Sequence, residues 1–256
     1  MLRRLIFVLR MLTMTLGFWS LGDWFRFWLG GATKIELKGN SLNLRADNYL
    51  AKIADLAMAW EVMVDNVYDA FPIRPEDTIV DIGGHIGSFT VKAASQAING
   101  KVYTFEPFPS THAVLKKNTE NLKNVHAQQT AVSGVCGSQE LFFSSSNPAE
   151  NSLLRKTDNS IEVPLVTLKA AFDMNHIENV DLMKIDCEGA EYDILFNAGD
   201  SLSIVQKMVM EVHEPKHFDI PDKYTIDGLV QLLEDNGFKV SFVRENRFQG
   251  YIFASR

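Results

Sequence analysis

Residues 81–89 read DIGGHIGSF, and they put a carboxylate and three glycines where an apolar run gives way to a helical one. Asp81, Gly83 and Gly87 form the pattern DxGxxxG. The dinucleotide pattern GxGxxG would need glycine at 82, where isoleucine stands. The chemistry separates the two. A pyrophosphate seeks bare backbone N–H groups at a helix start, and a carboxylate there would repel it. S-adenosylmethionine carries an ammonium, a carboxylate and a sulfonium but no phosphate. Asp81 can meet its cationic part directly or through water, and Gly83 and Gly84 allow the backbone to approach closely. Glu106 ends the next apolar run, 23 residues beyond Gly83, where an acid can accept both hydroxyls of a ribose. Ala131 and Val132 follow the third such run, at the height expected for an adenine ring.

Lys184, Asp186, Glu188, Glu191, Glu211, His213 and Glu214 cluster at the ends of two later apolar runs. Methyl transfer from such a donor needs the accepting atom, methyl carbon and sulfur held in line, and can call for removal of one proton. Asp186 is expected beside the methyl, for positioning or proton transfer. His213 suits a general base, since imidazole titrates near neutrality. Lys184, inside an apolar strand, calls for a carboxylate partner. Glu191 reads as a charge favoured at a helix start. Asp186, Glu188, Glu211 and His213 could also gather around a magnesium- or manganese-type ion. Converging strand ends bring carboxylates together in many sheets, however, and no metal is expected. Cys136 and Cys187 form no CxxC pair and read as reduced thiols.

These groups need a scaffold. The chain has 256 residues, 46% of them apolar, with 25 Lys and Arg against 32 Asp and Glu, a net charge of −7. That composition suits a globular chain and speaks against a nucleic-acid partner. Strand-like runs at 78–82, 102–105, 125–130, 180–185, 207–212, 239–243 and 251–254 alternate with helical stretches at 87–97, 110–122 and 225–236. Such alternation predicts a mostly parallel, seven-stranded α/β sheet with helices on both faces. Residues 133–160 break the rhythm and are expected as a long loop over the ligand end, with Asn151 and Ser152 closing over the acceptor. Ahead of this domain (76–256) stands a unit at 34–75. It comprises a hairpin, 35–37 and 41–44 about Gly39-Asn40, and a helix over 48–70 capped by Asp47 and stopped by Pro72 and Pro75. Residues 1–33 carry Leu2, Leu5, Leu9, Leu12 and Leu16 at helical spacing, with Arg3, Arg4, Arg10 and three tryptophans. The uncharged run 11–22 is too short to span a bilayer. The segment is expected to lie on a membrane surface, on its own domain or on a twin subunit.

The sequence resembles the FkbM family of S-adenosylmethionine-dependent methyltransferases. The resemblance rests on residues 81–89, YTFEP at 103–107, Asn118, Ala131-Val132, Asn151-Ser152, KIDCEGAE at 184–191 and EVH at 211–213, and it runs from about Asp47 to the end. It implies a class I, Rossmann-like methyltransferase fold and O-methylation of a sugar, glycolipid, other lipid-linked or natural-product hydroxyl. It also implies S-adenosylmethionine as cofactor, bordered by Asp81, Gly83, Gly84, His85, Gly87, Ser88, Phe89, Glu106, Pro107, Ala131, Val132 and Glu61. The expected reacting groups are Asp186, His213, Lys184 and Glu211. His85 stands where the family commonly has asparagine, and is expected to hydrogen-bond the methionine carboxylate. The expected location is cytoplasmic, with the inner face of the membrane as the alternative. An NAD-linked oxidoreductase of similar fold and a non-catalytic S-adenosylmethionine-binding protein are the competing readings.

Overall fold

A computed structural model describes residues 12, 15, 19–29, 33–46, 49–144, 147–157, 159–217, 220, 221 and 223–256. Most of the leucine stripe of residues 1–16, and Asp47, lie outside the described residues. Helix α1 (Leu21–Trp28) leads into the hairpin β1 (Lys34–Leu37) and β2 (Asn40–Asn43). The turn falls on Lys38-Gly39, one residue earlier than expected, with both residues at positive φ as a two-residue hairpin loop requires. Helix α2 (Tyr49–Trp60) follows, and then a π-helical turn, Glu61–Asp65, closed by Asn66 in the left-handed conformation. The helix therefore stops ahead of Pro72, because Asn66 ends it.

The expected alternation then appears as β3 (Thr78–Ile82), α3 (Ser88–Gln96), β4 (Lys101–Phe105), α4 (Pro109–Thr119) and β5 (Val125–Gln128). After an excursion, described next, come β10 (Leu182–Ile185), α6 (Glu191–Phe196), β11 (Lys207–His213), α7 (Ile226–Asp235), β12 (Lys239–Arg244) and β13 (Gln249–Ser255). The seven strands lie in the order β12-β13-β11-β10-β3-β4-β5, and only β13 runs against the rest. This is the class I methyltransferase sheet. Its direction of winding reverses between β3 and β10, the place where such sheets put their ligands. Both faces of β3 are covered: Val80 and Ile82 join one apolar core and Ile79 the other, which is why the strand reads as an unbroken apolar run.

The excursion corrects the expected loop at 133–160. Residues β6 (Ala131–Val132), β7 (Gly137–Ser144), β8 (Asn147–Ser152) and β9 (Asn159–Val166) form a second sheet, ordered β6-β9-β7-β8, followed by helix α5 (Leu168–Met174). Leu141, Val163 and Leu165 turn inward while most of their neighbours along β7 and β9 are exposed. A strand solvated on one face reads as polar and turn-like, so this sheet hides in the composition.

The amino-terminal elements have their own core. Phe27, 1% exposed, packs with Ile35, Leu37, Leu42, Leu56 and Trp60, and the Lys52 ammonium donates to the Phe27 carbonyl at 2.7 Å. Asn118 joins this unit to the sheet. Its amide donates to the carbonyls of Asn43 and Ile86 and accepts from the Asn43 backbone. Among the described residues no helix is long and apolar enough to cross a membrane.

Candidate active site

The β3 strand ends in a turn that only small residues can make. Gly83 has φ +80°, and a Cβ there would stand 1.7 Å from the Asp186 carbonyl oxygen. Gly83 and Gly84 both donate to the Phe105 carbonyl at 3.0 Å, and the Asp186 N–H donates to that of Ile82. The ends of β4, β3 and β10 are thus stitched side by side. His85 and Glu188 adopt positive φ in the loops leaving β3 and β10, a strain that collects at functional sites.

Along these ends runs an open cleft. Gly83 and His85 line it from β3, Glu106 and Pro107 from β4, and Asp186, Cys187 and Glu188 from β10. Ala131, Val132 and Leu141 close it from the second sheet, and Met58 from α2. Glu106 is 7% exposed. It accepts from the backbone N–H of Phe108 at 2.8 Å and of His85 at 2.9 Å. Burial nevertheless pushes its carboxyl up to about 7.

Asp81 departs from its expected place. It is fully buried behind the glycine turn and does not line the cleft. It accepts from Thr90 at 2.6 Å and lies 3.3 Å from the Lys184 ammonium, its partner in register across β3 and β10. Alternation along β3 turns Asp81 toward α3, so it holds the turn from behind. Gly84, Gly87, Ser88 and Phe89 also stand behind the lining, and Glu61 lies exposed on the π-helical turn.

The reacting end gathers residues far apart in the chain. Lys184 donates to the Gly83 carbonyl at 2.6 Å and stands between Asp81 and Asp186, the latter at 3.7 Å. Burial opposes its charge, but the two carboxylates hold its pKa above the ordinary lysine value. Tyr68 donates toward Asp186 at 3.0 Å and Glu211 at 3.3 Å. Burial first, then those two acids, raise its phenol well above the ordinary range. Burial and the Asp186 charge likewise push Glu211 well up.

His213 is 2% exposed, with Nδ1 2.8 Å from Glu191 and Nε2 facing Glu188 at 3.6 Å and Glu211 at 3.8 Å. Burial works against its charge, yet these acids raise it to about 10. The imidazole is a cation at neutral pH, which differs from the free base expected from its type. Glu191 does head α6, but its fully buried carboxylate also takes the backbone N–H of Gly189. Ligand atoms of Asp186, Glu188 and His213 lie within 4.8 Å of one another. The His213 proton and the Lys184 ammonium supply positive charge there. Cys187 is held in its thiol form by burial and by Glu191.

Tyr68 and Met58 were not among the expected site residues, nor was the buried Arg45–Asp55 pair beside His85. They come from the elements before the sheet, and no local pattern points from them to the cleft.

A strand-end acid, a glycine turn and carboxylates converging on one cleft are the parts of a methyltransferase. Residues 81–240 match the methyltransferase FkbM domain, and the chain belongs to that family. It is an S-adenosylmethionine-dependent methyltransferase, and the NAD-linked reading is set aside. Among curated relatives, it is 27% identical over 208 residues to Methyltransferase 1 of Beauveria bassiana, covering 72% of this chain and 81% of that one. It is 26% identical over 229 residues to the 31-O-demethyl-FK506 methyltransferase FkbM of Streptomyces tacrolimicus, covering 74% and 84%. It is 22% identical over 186 residues to the hexuronic acid methyltransferase AglP of Haloferax volcanii, covering 71% of each.

The cleft suits S-adenosylmethionine. The Glu106 carboxylate stands in it beside an apolar wall of Ala131, Val132 and Leu141, and the buried Nδ1 of His85 has no hydrogen-bond partner among the described residues.

Proposed function

We propose that the protein O-methylates a hydroxyl of a sugar, glycolipid or natural-product acceptor. The observation that carries this reading is the carboxylate pair Asp186 and Glu211, both facing the phenol of Tyr68 at the end of β10 and β11. Two acids held by a phenol can hydrogen-bond a hydroxyl and take its proton. The relatives named for 31-O-demethyl-FK506 and for hexuronic acid are consistent with such acceptors.

In this reading Asp81, Gly83, Gly84, His85, Gly87, Ser88, Phe89, Glu106, Pro107, Ala131, Val132 and Glu61 build the cofactor half. S-adenosylmethionine supplies a methyl group made electrophilic by its sulfonium. Asp186 orients the acceptor hydroxyl and takes its proton as the new O–C bond forms. Lys184, 3.7 Å away, fixes Asp186 from behind. Tyr68 holds Asp186 and Glu211 in one geometry, and Glu211, which keeps a proton more readily, hydrogen-bonds a neighbouring acceptor oxygen. His213, as a cation, balances the surrounding acids.

The test is methyl transfer from isotope-labelled S-adenosylmethionine to a panel of uronic acids, other sugars and macrolide alcohols, with the methylated atom located by mass spectrometry and NMR. Methyl on oxygen, lost in Asp186→Asn with donor binding kept, supports the reading. Methyl on nitrogen or carbon overturns it.

A further inference from the structure

Arg45 and Asp55 precede the segment that matches the family domain, and both are buried, at 3% and 0% exposure. The guanidinium grips the carboxylate through Nε at 3.0 Å and one terminal nitrogen at 2.6 Å, and the Arg45 backbone N–H donates to it at 2.7 Å. A buried ion pair is seldom a net source of stability over apolar residues of the same size, so its reach matters. The same terminal nitrogen lies 3.3 Å from Nε2 of His85, a residue of the cleft wall.

That contact fixes the ring. Guanidinium nitrogens only donate, so Nε2 has to accept, and a neutral imidazole then carries its proton on Nδ1. Burial, then the Arg45 and Lys184 charges, keeps the ring neutral, against the opposite pull of Asp186. Asp55 Oδ1 stands 3.4 Å from Nε2, and an Nε2–H could face it. In that tautomer, however, the ring N–H would also oppose the nearer Arg45 amino group. Nδ1 is buried without a hydrogen-bond partner among the described residues, an arrangement that costs about 1–3 kcal/mol unless an acceptor arrives. The backbone N–H of His85 is tied to Glu106 at 2.9 Å, so the ring is registered to the cofactor half of the cleft.

We propose that Arg45 and Asp55 are positioning residues for the methyl donor. They hold His85 as the Nδ1–H tautomer, and that N–H donates to the carboxylate on the amino-acid tail of S-adenosylmethionine. The proposal rests on the cleft holding that cofactor.

Long-range proton–nitrogen NMR on the full, ligand-free chain with labelled histidine reads the tautomer. Nδ1–H in the wild type is expected, as is a shift toward Nε2–H in Arg45→Met/Asp55→Leu, which exchanges both buried charges for apolar side chains. Calorimetry with S-adenosylmethionine should show about tenfold weaker binding in that double variant and in His85→Gly, which keeps the left-handed turn without a ring. The triple variant should bind no more weakly than either, because Arg45 acts through His85. Decarboxylated S-adenosylmethionine should bind the wild type more weakly than the intact donor, with the difference shrinking in His85→Gly. An Nε2–H wild type, wild-type affinity in His85→Gly, or losses that multiply in the triple variant would each overturn the proposal. If the double variant does not fold by circular dichroism, the wild-type tautomer and His85→Gly decide it. A wild type that binds no S-adenosylmethionine would instead refute the cofactor reading.

Discussion

If Glu106 holds the cofactor as proposed, it should couple pH to cofactor binding. Its carboxyl rises from 4.5 to about 7 mainly through burial, although the N–H groups of Phe108 and His85, with Lys184 and Arg45, favour the ionised form. A raised carboxyl means that the ligand-free fold binds a proton more tightly than the unfolded chain. The stability this proton confers is complete below pH 4.5 and is lost as pH rises through 7, in all about 3 kcal/mol. Ribose hydroxyls donate to the ionised form, so binding has to drive off the proton at low pH. Only about a tenth of the free protein is ionised at Glu106 at pH 6, and affinity for S-adenosylmethionine should be about tenfold weaker there than at pH 8. Glu106→Gln should flatten that slope and bind weakly throughout. Its amide can accept from only one of the two backbone N–H groups that the carboxylate now satisfies. Titration calorimetry at pH 6 and 8, in buffers of different ionisation enthalpy, measures both the slope and the proton released. A flat wild type, or an unchanged slope in Glu106→Gln, would refute this reasoning.

Other consequences are equally concrete. Gly83→Ala sets a Cβ 1.7 Å from a carbonyl oxygen at φ +80°, so denaturant unfolding should show a loss of at least about 3 kcal/mol; an unaltered midpoint would contradict the turn. Tyr68→Phe keeps the buried ring against Phe89 and Tyr251 but removes the phenol from Asp186 and Glu211. Turnover should drop on the order of tenfold or more with donor affinity intact, and unchanged kinetics would separate Tyr68 from the reaction. His213, raised to about 10, contributes stability that is complete below pH 6.5 and lost as pH climbs through 10. Wild-type melting should therefore fall across that window, and His213→Gln should flatten this part of the decline. Phe27→Ala empties the core between α1 and the hairpin and should cost about 3–5 kcal/mol by chemical denaturation. A loss below 1 kcal/mol would mean that α1 does not pack there.

The seven-stranded sheet, the glycine turn and the acids at strand ends were legible in the chain because each rests on local spacing. A strand buried on both faces is a short apolar run, and a turn as tightly packed as the one at Gly83 leaves room only for glycine. The second sheet was not legible, since its solvated face reads like loop. Tertiary structure alone decided which acid meets the cleft. Alternation along β3 turned Asp81 onto Thr90 and Lys184, while the crossover to β10 brought Asp186 to the open side. It also brought together Tyr68 and Asp186, 118 residues apart, and Arg45 and His85, 40 apart. Periodicity carries no trace of such meetings. They follow from how the helix and hairpin before the sheet pack across its ends, and burial among those partners then set the charge that each group carries.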